Sequence, residues 1–368
     1  MPKTEAIEDP RMSDVDAMTR NAIANGVFPG AVLLVGHNGR VRHHRAFGCA
    51  DLFSGERVTC DTFFDLASLT KPLATALAVM HLVQLGAVKL DRPVAEIVPG
   101  IMGDNHQAIT VRHLLSHCSG LPPMRPYYFR LCHLPYADRL NALKRWVRRE
   151  PLLYQPGVQE EYSDLGFMML QWLVEALSGL PLDRFVTQNI YRHLVGDVPF
   201  FVDRRSPAKK SGRFAATELC PWRGRLLKGR VHDDNAYAMG GIGGHAGLFS
   251  TAAAVFHVVQ ALLDVDAGSH RHSPFEKDCI QTFLKRQSLG RFALGFDTPS
   301  SEGSSAGRFF SRYSVGHLGY SGTSFWMDRQ KAVIVVLLTN RVHPTRFNPG
   351  IKAFRPQLHD AVMAALGM

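Results

Sequence analysis

Phe64-Asp65-Leu66-Ala67-Ser68-Leu69-Thr70-Lys71-Pro72 leads into an apolar helical stretch, Ala74 to Leu85, and its reading decides the fold. A serine and a lysine three residues apart at a helix start lie on one face, about a turn apart. The serine sits where free backbone N–H groups and the helix dipole favour developing negative charge. A lysine held within reach of it, partly desolvated, can lose its proton near neutral pH and act as a base. Taken alone, S-x-x-K also arises by chance, as a helix N-terminus with a solvent-facing lysine.

Two further segments change that balance. Glu161-Tyr162-Ser163-Asp164-Leu165-Gly166-Phe167 marks another helix start, with Asp164 expected as its N-cap. A tyrosine just before a cap is held at a loop edge, where its hydroxyl can enter a cleft. Beside a lysine ammonium its pKa is expected to fall, so that it can pass a proton to or from the serine and the leaving group. Gly316-His317-Leu318-Gly319-Tyr320-Ser321-Gly322-Thr323-Ser324 is a glycine-rich strand, which lets a substrate lie close to backbone. One N–H from it, with that of Ser68, would make an oxyanion hole. Losing one such donor costs on the order of 3 kcal/mol in an acyl-transfer site.

In this order the three segments resemble the serine β-lactamase and penicillin-binding-protein superfamily. The resemblance is strongest to its β-lactamase-related branch of class C β-lactamases, D-alanyl carboxypeptidases and esterases. It runs from Pro29-Gly30 to the terminal helix. Ile109-Thr110-Val111-Arg112-His113-Leu114-Leu115-Ser116-His117-Cys118-Ser119-Gly120-Leu121-Pro122 is similar to the branch signature T-x-R-H-L-L-x-H-x-S-G-L-P. Gly244 to Ala252 and Leu338 to Pro344 also look like branch segments.

The resemblance implies that Ser68 is the acylated nucleophile, Lys71 its partner and Tyr162 the tyrosine of the family's Y-x-N motif. Asp164 stands where that motif has asparagine. His317-Leu318-Gly319 matches the K-T/S-G strand, and the Tyr320 N–H would complete the oxyanion hole. Two departures bear on function. His317 replaces a fixed charge with a group that ordinarily titrates near neutrality. Leu318 replaces the hydroxyl that helps bind a substrate carboxylate, so an ester or amide lacking that carboxylate is expected to be accommodated more easily than penicillins or D-Ala-D-Ala peptides.

The chain organisation fits an α+β architecture, an antiparallel β-sheet flanked by helices plus a mostly helical region. A helix over Asp14 to Asn25, closed by Gly26, precedes two β-rich runs joined by Asn38-Gly39, a type I′ hairpin signal. Thr323 to Asp328 and Ala332 to Leu338 form a second pair, turned by Arg329-Gln330-Lys331. A helix from Phe354 to Leu366 ends the chain. Residues 1–60 and 285–368 are thus expected to build the sheet region and 61–284 the helical one, as one catalytic domain with its cleft between them.

Composition excludes several classes. With 368 residues, 46% hydrophobic and 20% charged, the chain has ordinary globular make-up. The polar first ten residues do not read as a secretory signal, and no apolar run is long enough to span a membrane, so a cytoplasmic location is expected. Six scattered cysteines suit a reducing compartment and not a zinc site. The net charge of +10 is spread over a surface helix (Lys144 to Arg149), Arg204-Arg205 and Lys209-Lys210. A solvated basic face is the plain reading and attraction of an anionic substrate the functional one; nucleic-acid binding would want the charge concentrated among aromatics.

Gly303-Ser304-Ser305-Ala306-Gly307 matches G-x-S-x-G but sits in a Ser/Gly loop without the strand and helix a nucleophile elbow needs. His232-Asp233-Asp234 lacks a second cluster with ligand spacing and reads as a loop near the cleft. Tyr127-Tyr128-Phe129 is either core or pocket wall. The reading is therefore a serine hydrolase working through an acyl-enzyme on a small ester or amide, with no metal or organic cofactor and no nucleic-acid or membrane partner. A weak β-lactamase or D-alanyl-D-alanine carboxypeptidase is the alternative within the enzymes. A catalytically silent binding protein is the alternative outside them, and labelling of Ser68 by a fluorophosphonate separates the two.

Overall fold

The computed structural model describes residues 6–194, 196, 198–203, 213–269 and 273–368. Helix α1 (Ser13–Ala24) carries Asp14 and Asp16 in its first turn, where they complement the helix dipole, and ends before Gly26 at φ +71°. Strands β1 (Gly30–His37) and β2 (Arg40–Asp51) follow as a hairpin. Its turn has Asn38 at φ +52° and Gly39 at φ +72°, the double positive φ that Asn-Gly supplies at low steric cost. After the helical middle come β3 (Val315–Leu318), β4 (Ser324–Asp328) and β5 (Val333–Thr339). The strand order is Glu56–Arg57, β2, β1, β5, β4, β3, antiparallel throughout, so the first and last parts of the chain meet where Ala31 to His37 pairs with Thr339 to Val333.

Both central strands are buried on both faces, and their alternation sorts the core in two. Ala31, Leu33, Val35, Val333, Val335 and Leu337 face Val15, Phe354, Leu358 and Val362 of the terminal helices. Val32, Leu34, Ile334, Val336 and Leu338 face the larger cluster that includes the helix Ala252–Asp266. A buried Leu or Val contributes about 1.5–3 kcal/mol over exposure, so a one-residue slip of either strand is strongly disfavoured.

The middle contributes helices as the apolar periodicity predicts, among them Tyr136–Val147, Asp164–Ser178 and Ala252–Asp266. The expected helix over Ala74 to Leu85 is more complex. A 3₁₀ turn, Ala67–Leu69, passes into a π-helical turn, Lys71–Ala76, and only then into α2 (Leu77–Gln84). The terminal helix, α4 below after α3 (Asp164–Ser178), runs over Ile351–Ala365 and starts before the expected Phe354. Pro356 therefore falls in its second turn, not its first. Of the basic runs, Lys144 and Arg145 lie on the helix Tyr136–Val147, while Arg204-Arg205 and Lys209-Lys210 lie outside the described residues. Among the described residues no single helix is long and apolar enough to cross a membrane.

Candidate active site

Ser68 is the middle residue of the 3₁₀ turn that leads into the π turn, immediately after Ala67 at φ +46°. That left-handed conformation is disfavoured for a residue with a Cβ and persists because its surroundings over-determine it. Buried Asp65 accepts the Ala67 N–H at 2.8 Å through one carboxylate oxygen and the His232 N–H at 2.6 Å through the other. Thr70 Oγ1 donates to the Ala67 carbonyl at 2.7 Å. Across the cleft, Ser321 Oγ donates to the Asp65 carbonyl at 2.6 Å and Thr323 Oγ1 to the Leu66 carbonyl at 3.0 Å. The nucleophile's loop and the turn that follows β3 are thus bolted together.

The π turn brings the Lys71 side chain, wholly buried, back onto Ser68. Lys71 Nζ donates to Ser68 Oγ at 2.9 Å, to Asp164 Oδ1 at 2.7 Å and to the His245 carbonyl at 3.4 Å, which uses all three of its protons. Here the structure corrects two expectations. Ser163, whose hydroxyl accepts the Gly166 N–H, is the N-cap of α3; Asp164 is the first helical residue, and its carboxylate reaches across to the lysine. Nor is Lys71 a group with a lowered pKa. Burial favours loss of its proton, but the charge of Asp164 and the hydrogen bond with it outweigh burial and hold the value above that of an ordinary lysine.

Tyr162 lies beside Ser68 and Lys71 and interacts with both, with the Lys71 ammonium 4.6 Å from its ring centre. Its pKa also differs from expectation. Burial raises it, the charge of Lys71 pulls it down and that of Asp164 pushes it up, for a net rise. Both partners of Ser68 therefore hold their protons in the resting state. The loop carrying Tyr162 is fixed by His117, whose Nδ1 accepts the Ser163 N–H at 3.0 Å and whose ring lies 4.4 Å from that of Tyr162.

His317 lies on β3 beside Tyr162, ring centres 6.0 Å apart. Burial, then the charge of Lys71, pushes its pKa down to about 3, so it is not the near-neutral titrating group expected. Its Nδ1 lies 2.9 Å from the Leu318 carbonyl and must carry the hydrogen there, which leaves Nε2 as an acceptor. Gly319 comes so close to the serine loop that a Cβ would stand 2.5 Å from the Leu66 carbonyl. The Tyr320 N–H has no acceptor among the described residues, while the Tyr320 ring is half exposed against His232.

Ser68 and Tyr162 stand between two cavities. One, of about 480 Å³, is lined by Leu318, Phe292 and the cations Arg291, Arg341, Arg346, Lys352 and Arg355, with Asp297 the one acid among its lining residues. The other, of about 300 Å³, is lined by Asp164, Asp233, Asp234, Met124 and Tyr128. His232-Asp233-Asp234 is accordingly a cleft loop, and Asp233 caps the short helix that begins at Asp234. Of the Tyr127-Tyr128-Phe129 run, Tyr127 is buried against Glu150 and Tyr128 forms pocket wall. No strand leads into Gly303 to Gly307, whose Ser305 carbonyl lies 2.8 Å from His359 Nδ1. Asp65, Arg341 and Arg355 were not legible as site residues, because nothing near them in sequence says that they converge on Ser68.

Ser68, Lys71 and Tyr162 meet in a cleft between an antiparallel sheet and a helical region, and the class of protein is a serine hydrolase. Residues 15–357 match the model of the Beta-lactamase family, and the chain belongs to that family. It is 32% identical to an N-acetylmuramyl-L-alanine amidase of Bacillus subtilis (strain 168), over 94% of this chain and 85% of that protein. It is 29% identical to a provisionally assigned D-alanyl-D-alanine carboxypeptidase of Escherichia coli (strain K12), over 92% and 84%. A penicillin-binding-protein homologue from Caulobacter crescentus shares the fold, with a TM-score of 0.76, 19% identity and coverage of 98% of this chain and 100% of that one.

Proposed function

We propose that this protein hydrolyses an amide of a small, anionic, cell-wall-derived compound through an acyl-enzyme on Ser68. The observation that carries the proposal is the arrangement around the Ser68 hydroxyl, with Lys71 Nζ at 2.9 Å and the cation-lined cavity alongside. Ser68 Oγ attacks the amide carbonyl while its proton passes to the Lys71–Tyr162 pair, which must first have given up one proton. Negative charge on the carbonyl oxygen is met by the N–H groups of Ser68 and Tyr320. The C–N bond then breaks as the pair returns a proton to the departing amine. Water adds to the ester so formed, gives its proton to the same pair, and the acid leaves as Ser68 recovers its hydrogen.

Leu318 supplies no hydroxyl for a carboxylate, but Arg291, Arg346 and Lys352, which line the adjoining cavity, can compensate for it. That favours an anionic substrate over the carboxylate-free one suggested by His317 and Leu318. The amide is favoured over the ester by the likeness to the Bacillus amidase. A D-alanyl-D-alanine carboxypeptidase is the second reading, supported by the same cations and by the Escherichia coli relative. Six unpaired thiols suit a reducing, cytoplasmic setting.

The test is chromatography of products after incubation with N-acetylmuramyl-L-alanine, a D-Ala-D-Ala peptide or benzylpenicillin, for wild type and Ser68→Ala. Release of L-alanine that vanishes in Ser68→Ala supports the proposal. Turnover of the D-Ala-D-Ala peptide alone would replace it by the second reading.

A further inference from the structure

The turn that presents the Tyr320 N–H is held from behind by two buried arginines. On α4, Arg355 Nη2 donates to the Gly319 carbonyl at 3.1 Å and to the Thr323 carbonyl at 2.8 Å. Just after β5, Arg341 donates to the Tyr320 carbonyl from Nε at 2.9 Å and from Nη2 at 2.6 Å. Arg341 Nη1 is occupied by the carbonyls of Arg346 and Asn348. Among the described residues neither guanidinium forms an ion pair with an acid, and Arg355 Nε, fully buried, has no hydrogen-bond partner. Burial, and next the charge of Arg341, pull the Arg355 pKa down to about 9. Uncompensated buried charge is costly, and elsewhere in this chain buried cations such as Arg223 do have acids, here Asp234 at 2.5 Å.

The Gly319 carbonyl and the Tyr320 N–H belong to one peptide group. In a trans peptide they point in opposite directions, so a cation on the carbonyl side aims the N–H away from itself, towards the Ser68 side. It also polarises the group, which strengthens the N–H as a donor. The Gly322 N–H adds a second bond to the same carbonyl at 3.0 Å.

We infer that Arg355 is a positioning residue for the oxyanion hole, fixing and polarising the Gly319–Tyr320 peptide so that its N–H meets the charge that develops on the substrate oxygen, with Arg341 anchoring the adjoining Tyr320–Ser321 peptide. The missing negative partner of the two guanidiniums is then the oxyanion itself, present only during reaction. The inference rests on the proposed role of the Tyr320 N–H, and it concerns residues that touch no substrate.

The experiment uses the full chain with p-nitrophenyl butyrate as substrate and phenylboronic acid as a tetrahedral probe. Active sites are counted by exhaustive fluorophosphonate labelling. Loss of a whole oxyanion donor costs about 10²–10³ in kcat, so weakening one should cost about 10–100-fold. Arg355→Met is expected to lose that factor in kcat per labelled site and the same factor in boronate affinity, with KM within about twofold. Arg355→Lys, which restores a cationic donor, should recover most of both. A merely structural arginine would lower the melting temperature and the number of sites while leaving each surviving site at full kcat and full boronate affinity, and that result overturns the inference. Should Arg355→Met not fold, Arg341→Met and Arg355→Lys are read by the same comparison. Ser68→Ala separates the levels: if it still turns over ester, the proposed chemistry itself fails, whereas an inert Ser68→Ala beside an unimpaired Arg355→Met removes only this inference.

Discussion

Lys71 Nζ and Asp164 Oδ1 lie 2.7 Å apart, and this contact sets the protonation state of the whole site. With a neutral residue at 164, burial would make Lys71 a ready base; with the carboxylate there, the lysine keeps its proton. Catalysis must then wait until the Lys71–Tyr162 pair has shed one proton, an event favoured by rising pH.

A pH profile of kcat/KM should therefore climb on the alkaline side of neutrality. In Asp164→Asn the charge that raises both Lys71 and Tyr162 is gone, so both pKa values fall and the rising limb moves to lower pH. A shift of at least about one pH unit is expected. An unmoved limb would mean that Asp164 does not govern the proton.

His317 should be silent over the same range. Its folded pKa of about 3 leaves it neutral throughout, so no proton is bound or lost there between about pH 5 and 8. Replacing it by Gln, which keeps an acceptor, is expected to leave the midpoint of the profile unchanged. A limb lost in His317→Gln would show a charged histidine at work.

Gly319→Ala tests the close approach of β3 to the serine loop. The added methyl would stand 2.5 Å from the Leu66 carbonyl and closer still to Thr323 Oγ1, so the turn must move away from Ser68. A fall of about 100-fold or more in kcat is expected, since the Tyr320 N–H moves with the turn. Full activity of the purified variant would show that this N–H is not needed.

Asp297 predicts a stability effect of defined sign. Burial, opposed by the charge of Arg291, pushes its pKa up from 3.8 to about 6. The folded state thus binds the proton more tightly than the unfolded state, and stability attributable to this group falls as pH rises from 3.8 through 6. Asp297→Asn should be more stable than wild type at pH 7.5, by at most about 3 kcal/mol, and equal to it near pH 3.5. Melting curves at the two pH values decide it.

How much of this was legible depended on whether the cause was local. Asn38-Gly39 announced its hairpin because positive φ at two successive positions is a property of those residues. Ser68, Lys71 and Tyr162 could be named because each stands at a helix start with a recognisable pattern around it. Ser163 and Asp164 are both good caps, and only the point at which the chain leaves its extended path decides between them. The protonation of Lys71 depends on a carboxylate 93 positions away, and that of His317 on how deeply β3 is covered. Arg341 and Arg355 carry no sequence mark at all, since their meaning lies in the five carbonyls they hold.

The most direct test of the central claim is intact-mass spectrometry of the protein mixed with a slowly released acyl donor, such as a p-nitrophenyl ester, with peptide mapping of any adduct. One acyl group per chain is expected, on Ser68, absent in Ser68→Ala and much slower to form in Lys71→Met. An adduct on another residue, or turnover that survives in Ser68→Ala, would contradict it.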